Sequence, residues 1–266
     1  MQMPSKIHST AIIGNKSQLG AGLEVGPYVV IEDGAKIGDG SVIEAHAVIK
    51  QWARLDEGSR IGHFSVVGGD PQHLDFNAEK PSFVKIGKNC RLGEGVTIHR
   101  SILENQSTRV KNKVFLMGNS HVAHDCILGD NTILANGALL GGHVEIGENV
   151  FIGGGTGIHQ FVRIGSGAMI GGLAEVSQDV GPNLLVVGRN QACGLNRVGL
   201  KRRCIPKEDV DQLKKLFRAL LSKPVNICEE AKLHLENSKG EISLLAREFL
   251  EFYLSGTRGF ARQTKI

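Results

Sequence analysis

An aliphatic residue stands at every sixth position through most of the first two thirds of this 266-residue chain. One series runs unbroken from Ile7 through Ile13, Leu19 and Val25 to Ile61 and Val67. A second begins at Ile86, Leu92 and Ile98, resumes at Val110 and continues to Ile170 and Val176. A period of six fits neither an α-helix nor a strand with one buried face. It fits a solenoid of short flat strands, a parallel β-helix built from hexapeptides.

The residues around each aliphatic explain how the coil closes. Two positions earlier stands a small residue, such as Ala11, Ser17, Ala35 or Cys126, or a larger version such as Leu23 or Val144. Both point inward. Gly, Asn and Asp follow the aliphatic, as in Ile37-Gly38-Asp39-Gly40, and tolerate tight corners. Three hexads close one triangular coil. Residues eighteen apart therefore stack, separated by about 4.8 Å.

Composition agrees with a thin prism. Glycine is abundant at 35 residues and aromatics make up only 5%. No stretch is long and apolar enough to span a membrane, and Met1-Gln2-Met3-Pro4 opens no signal-peptide core. Five scattered cysteines form an odd set that suits reduced thiols in a cytoplasm. A net charge of +4 permits an acidic partner without demanding nucleic acid.

The repeat has two faults. The two series are out of phase by one residue, and the slip marks an extruded loop over residues 68–85. A second irregularity spans Ser101 to Arg109, where Glu104 takes an aliphatic place. The repeat stops at Val180-Gly181-Pro182, so a β-helical domain is expected over residues 1–190, with linker and helices over 191–266. An extended linker should run to about Ile205. A helix opened by Pro206 carries Val210, Leu213, Leu216, Phe217, Leu220 and Leu221 as its apolar stripe. Pro224 should open a second, through Ile227, Ala231, Leu233 and Leu235. After a break at Gly240, a third should run from about Glu241 to Leu254, and the helices should cap the open end of the prism.

Five of the ten histidines fall between His99 and His159. The eighteen-residue rule sets His124, Gly142-His143 and His159-Gln160 on one edge of three successive coils, with His121 on the adjoining face. Four imidazoles would line about 10 Å of that edge. Three readings compete. Histidines on an outer wall can simply be solvated. A metal could bind, but no Cys or carboxylate except Asp125 stands at ligand spacing. The third is acid–base catalysis, because an imidazole can take a proton from a hydroxyl at neutral pH. Asp125 would orient His124, and the bare backbone N–H of Gly142, stacked over it, would hold an oxyanion. Cys126 should point inward and be inert, and the lack of another Ser or Cys nucleophile favours direct transfer to an acceptor hydroxyl. Neither metal nor organic cofactor is called for.

Several segments resemble one enzyme family: Thr97-Ile98-His99-Arg100, Ser120 through Cys126, Gly141-Gly142-His143-Val144, Gly157 through Phe161, Gly199 through Arg203, and Thr257-Arg258-Gly259. The family is the acyl-ACP–UDP-N-acetylglucosamine O-acyltransferases that open lipid A biosynthesis, and the resemblance covers nearly the whole chain. It implies a left-handed parallel β-helix followed by a small C-terminal α-helical domain, assembled as a homotrimer with sites between subunits. The implied donor is a 3-hydroxyacyl chain on acyl carrier protein, and the implied acceptor is the 3-hydroxyl of UDP-N-acetylglucosamine. His124 matches the general base, Asp125 its neighbouring carboxylate and Gly142 the oxyanion donor. Gln72, His73, His121, His143, His159 and Gln160 match substrate-binding positions. Asn196, Arg202 and Arg203 match residues that meet donor or nucleotide, and Gly172 the position that limits acyl length when larger.

The sequence departs from the family pattern in two places. Members often read Gln-Asp-Leu-Lys in the extruded loop, where this chain reads Gln72-His73-Leu74-Asp75. Val198 stands where an acidic residue is usual, and the stretch before Asn196 is one residue shorter. The first departure leaves a 3-amino sugar as an alternative acceptor. The later N-acyltransferase of the same pathway is a further rival, although it carries an extra domain ahead of its hexads. A non-catalytic saccharide-binding scaffold would have no reason to stack histidines beside a bare glycine.

Overall fold

The computed structural model describes residues 4–238 and 242–263. The chain winds as a left-handed parallel β-helix whose three walls are sheets of eleven, nine and eight strands. Most strands are two residues long, and each pairs with the strand one coil away, as Val30 with Val48 and Ile133 with Phe151. The partners are eighteen residues apart, as the hexads require.

Both faults in the repeat are insertions between coils. Across the extruded loop, Arg60 pairs with Arg91 and Leu55 with Ile86, thirteen residues beyond the regular step. Thirteen is two hexads plus one, which produces the phase slip. Across the second excursion Thr97 pairs with His121, six residues beyond the regular step. Six is a whole hexad, so the phase survives while the ruler of eighteen fails locally.

The prism is filled as the repeat dictates. Ile49, Ile61, Ile98 and Leu116 are wholly buried, together with small inner residues such as Ala47, Ala53 and Cys126. Inward hydroxyls are satisfied by corner carbonyls: Ser65 Oγ donates to Gly93 O at 2.8 Å and Thr132 Oγ1 to Gly147 O at 2.9 Å. One corner repeats Gly22, Gly40, Gly58, Asn89, Lys113, Asn131 and Asn149, all at positive φ and all but Lys113 glycine or asparagine. These residue types visit the left-handed region most cheaply.

The C-terminal end is closed more elaborately than the sequence suggests. In place of an extended linker, Leu184–Val187 continues the largest sheet and Gln191–Leu195 folds back antiparallel upon it. A short helix α1 (Arg197–Arg202) follows, capped by the Asn196 side chain. This turn of helix is too brief to leave a periodic signature. Helix α2 (Lys207–Leu221) begins after Pro206 as expected and buries Leu213, Leu216, Phe217, Leu220 and Leu221, with Val210 half-buried at its edge. Helix α3 (Ile227–Asn237) starts three residues after Pro224, because the Asn226 side chain accepts from the Cys228 and Glu229 N–H groups and so fixes the N-terminus. Leu233, counted above as part of its apolar stripe, faces solvent. Helix α4 (Leu244–Phe252) begins after Ser243, later than expected; the anticipated break at Gly240 and start at Glu241 lie outside the described residues.

The helices and the last coil form one body. Arg163 bonds Asp179 at 2.8 Å, donates to Ser255 Oγ at 3.0 Å and sits over the Phe252 ring at 4.6 Å. Buried Tyr253 lies against Gly181, where any Cβ would collide with its hydroxyl. The tail then adds to the wall, with Ala261 N donating to Asp179 O. Among the described residues no helix is long and apolar enough to cross a membrane.

Candidate active site

The nine-stranded sheet and the corner that follows it carry the histidines. Strand His121–Val122 runs outward to Ala123 and His124, and the chain turns at Asp125. One coil on, Gly142 takes the place of His124 and His143 that of Asp125; on the next coil come Gln160 and Phe161. Asp125, His143 and Phe161 form a corner ladder at φ 61°, 60° and 64°. The His143 and Phe161 rings stack face to face at 4.6 Å. His143 N donates to His124 O and Phe161 N to Gly142 O, which locks the ladder.

His124 is the most constrained ring of the group. It is 8% exposed, and its Nδ1 meets Asp125 Oδ2 at 2.9 Å. An ionised carboxylate only accepts, so Nδ1 carries the proton and Nε2 is left with a lone pair. A Cβ at Gly142 would stand 2.4 Å from the ring, so only glycine can stack there. Gly141 N and His143 N donate to backbone carbonyls, whereas among the described residues Gly142 N–H has no such acceptor.

Asp125 is held as an anion. Burial pushes its carboxyl up, but hydrogen bonds from His124, Ser101 and the Ile102 N–H, with the nearby His143, outweigh burial and bring it below the ordinary value. Its own N–H donates to Thr108 Oγ1 at 2.8 Å. Burial lowers His121, helped by His124, and Thr97 Oγ1 lies 2.7 Å from His121 Nδ1. Burial also lowers His143, with Asp125 acting in the opposite sense.

These side chains line a groove of about 430 Å³. Gln72, His121, His124, Gly142, His159 and Gln160 all face it. The extruded loop folds back over the groove, so that the rings of His73 and His124 meet edge-on at 6.3 Å. On the far side Arg258 Nη2 lies 2.9 Å from His159 Nδ1.

The remaining expected residues lie elsewhere. Asn196, Arg202 and Arg203 line a second cavity of about 350 Å³, on the outer face of the eleven-stranded sheet with Ile133, Phe151 and Met169. There Asn196 Nδ2 donates to Gly167 O at 2.9 Å, and Arg203 donates to the Asn183 side chain, so both are partly committed to holding α1 in place. Gly172 is exposed at the corner between the two larger sheets. One chain therefore carries the expected residues in two separate cavities on adjoining walls.

His124, Asp125 and His143 offer ligand atoms within 4.8 Å of one another. Both Asp125 oxygens are already occupied, however, by Ser101, Ile102 and His124. Cys126 adds no ligand: its thiol is buried, pushed up to about 12 by that burial, and lies 3.1 Å from Gly141 O. The donor set suits proton transfer better than metal binding.

Three residues at the site escape the spacing rule. His99 packs edge-on against His121 at 4.7 Å, and burial, then His121 and His124, lower it to about 4. Ser101 reaches Asp125, and Arg258 reaches His159. The six-residue insertion hides Ser101, which lies twenty-four residues from Asp125 instead of eighteen, whereas His99 meets His121 diagonally, two residues off its stack. Arg258 comes from the far end of the chain.

Comparison with known proteins gives a consistent result. Residues 179–261 match the family model described as "Udp N-acetylglucosamine O-acyltransferase; Domain 2". Residues 16–51, 34–69, 107–142 and 143–178 match the bacterial transferase hexapeptide model. The chain is 39% identical over 257 residues to an acyl-[acyl-carrier-protein]–UDP-N-acetylglucosamine O-acyltransferase of Campylobacter lari, covering 96% of each. It is 38% identical to the same-named protein of Thermodesulfovibrio yellowstonii, covering 97% of this chain and all of that one. Among solved structures, the UDP-N-acetylglucosamine acyltransferase of Campylobacter jejuni superposes with a TM-score of 0.90 at 37% identity, over 97% of this chain and 100% of that one. That of Francisella novicida superposes with 0.92 at 30% identity, over 97% and 94%.

Proposed function

The chain belongs to the acyl-[acyl-carrier-protein]–UDP-N-acetylglucosamine O-acyltransferase family, and from that membership we propose how its own residues carry out the transfer that opens lipid A biosynthesis. The observation that carries the reading is the His124 ring, tied at Nδ1 to Asp125 and lying against Gly142 in a groove. Nε2 accepts the proton of the sugar 3-hydroxyl as its oxygen attacks the thioester carbonyl of the carrier-bound 3-hydroxyacyl chain. The tetrahedral oxyanion is held by the Gly142 N–H. Collapse expels the phosphopantetheine thiolate, which recovers the proton from the His124 imidazolium. The enzyme forms no covalent intermediate, in keeping with the buried, inert Cys126.

Gln72, His121, His159 and Gln160 contact the substrates from the groove, and His73 and His143, packed against the His124 ring, contact them beside it. Asn196, Arg202 and Arg203 receive donor or nucleotide, and Gly172 leaves room for the acyl chain. These residues lie on two walls of one prism, so a complete site requires the groove of one subunit to meet the second cavity of its neighbour. A homotrimer supplies that juxtaposition. Leu139 in the groove (51% exposed), Val198 in the second cavity (58%) and Leu173 at the corner after Gly172 (84%) leave apolar surface for such packing. The five free cysteines fit a cytoplasmic location.

The test is product analysis. Purified protein is incubated with UDP-N-acetylglucosamine and 3-hydroxyacyl carrier proteins of several chain lengths, and separately with acetyl-CoA. A mass increase of one hydroxyacyl ester on the sugar nucleotide supports the reading. Transfer from acetyl-CoA alone would overturn it.

A further inference from the structure

Among the described residues the largest fully buried side chain is charged: Arg100 is 2% exposed. Such a burial is costly unless every donor is matched. Here each guanidinium nitrogen has its own acceptor, and all three acceptors lie in the extruded loop. Nε bonds Asp70 Oδ1 at 2.8 Å, Nη1 bonds Lys80 O at 3.0 Å and Nη2 bonds Ala78 O at 2.7 Å. The Phe76 ring lies against the guanidinium at 4.7 Å.

Asp70 stands at the start of the loop, and Ala78 and Lys80 stand on its return. Gln72 and His73, which reach the groove and His124, lie between them. Arg100 itself belongs to the rigid wall: its N–H donates to Gly69 O at 2.9 Å, and it follows directly on strand Thr97–His99. We infer that Arg100 is a positioning residue, clamping both stems of the extruded loop so that Gln72 and His73 stand over the groove in the acceptor-binding pose. This rests on the acceptor reading of that groove. Lysine cannot replace it, because one ammonium on a flexible stem cannot serve three separated acceptors in a fixed fork.

The experiment compares Arg100→Lys and Asp70→Asn with the parent by steady-state kinetics and by limited chymotrypsin digestion. In Arg100→Lys, KM for UDP-N-acetylglucosamine should rise about tenfold and cleavage after Phe76 should accelerate by about as much, a clamp contribution near one decade. The kcat and the KM for the acyl carrier protein should stay within about threefold. Asp70→Asn keeps the buried arginine, is expected to fold normally, and should shift both readouts in the same direction by a smaller factor. The inference is overturned if neither variant changes KM for the acceptor, or if both release the loop and only kcat falls. Parent protein with no acyl transfer would defeat the functional reading instead; the cleavage contrast would then decide the clamp by itself.

Discussion

Ser101 donates its hydroxyl to the carboxylate that receives the His124 Nδ1 proton, so Asp125 is gripped through both oxygens. The carboxylate can only accept, and it is the nearer of two acceptors for the single Ser101 hydroxyl proton, the other being Leu103 O at 3.1 Å; the Ser101 oxygen in turn accepts Leu103 N–H at 2.9 Å. Ser101→Ala leaves Asp125 with the Ile102 N–H and His124. A hydrogen bond to a charged group contributes about 1.5–3 kcal/mol, so the melting temperature should fall by several degrees at pH 7. The Asp125 pKa is depressed by folding, so this stability is present above the unfolded carboxylate value and is lost as pH falls through the folded one. The gap between variant and parent should therefore close in acid. Calorimetry at pH 7 and near pH 3 measures it; a gap that persisted unchanged would deny Ser101 this role.

Gly142 is predicted to be irreplaceable for a steric reason distinct from its N–H. Gly142→Ala keeps the oxyanion donor but drives a methyl into the His124 ring, displacing the base. Its kcat should approach the loss expected for His124→Ala, roughly 10²–10⁴-fold for a general base, with acceptor KM little changed. Parent-like kcat in either variant would remove His124 from the mechanism.

His99 makes the fold acid-sensitive. It is held neutral by burial, then by His121 and His124, at a pKa of about 4. Unfolding restores an ordinary imidazole, so the unfolded chain binds the extra proton between roughly pH 6.5 and 4, and stability drops as pH falls through that window. His99→Gln should lose less melting temperature than the parent between pH 7 and pH 5. Equal losses in thermal scans would refute this assignment.

Arg202 is exposed at the rim of the second cavity and Lys201, next to it in α1, is exposed too, whereas Arg203 is tied to Asn183. An acidic carrier protein would be steered by the two free cations, and steering is screened by salt. Raising ionic strength from about 0.05 to 0.3 M should increase KM for the acyl carrier protein several-fold and leave KM for the sugar nucleotide nearly constant. A salt-independent donor KM would contradict the steering role.

Much of this site was legible because the solenoid converts sequence distance into height. His124, Gly142 and Gln160 differ by eighteen, and they stack. The rule failed where the chain leaves the wall. Thr97 pairs with His121 instead of with a residue eighteen away, so Ser101 gave no sign of its partner, and His99 meets His121 on a diagonal that no stacking rule reads. Loop residues obey no period at all, and the approach of His73 to His124 depends on a buried arginine twenty-seven positions further on. Helix boundaries failed for a local reason: at α3 the Asn226 cap mattered more than Pro224.

Among the described residues the two ends of the prism are covered unequally. At the C-terminal end, helices and an antiparallel strand cover the last coil; at the other, strand Lys6–Ile7 pairs only with Glu24–Val25 among the described residues, and Ile7 stands 45% exposed. In a stack held by nearest-neighbour contacts, a terminal coil with a single neighbour is the weakest unit. Melting would then progress like a fuse lit at the N-terminus, and several coils separate that end from His124. The protein can lose its first turns of structure while its chemistry remains intact, which makes the lower coils the place to lengthen, shorten or tether it.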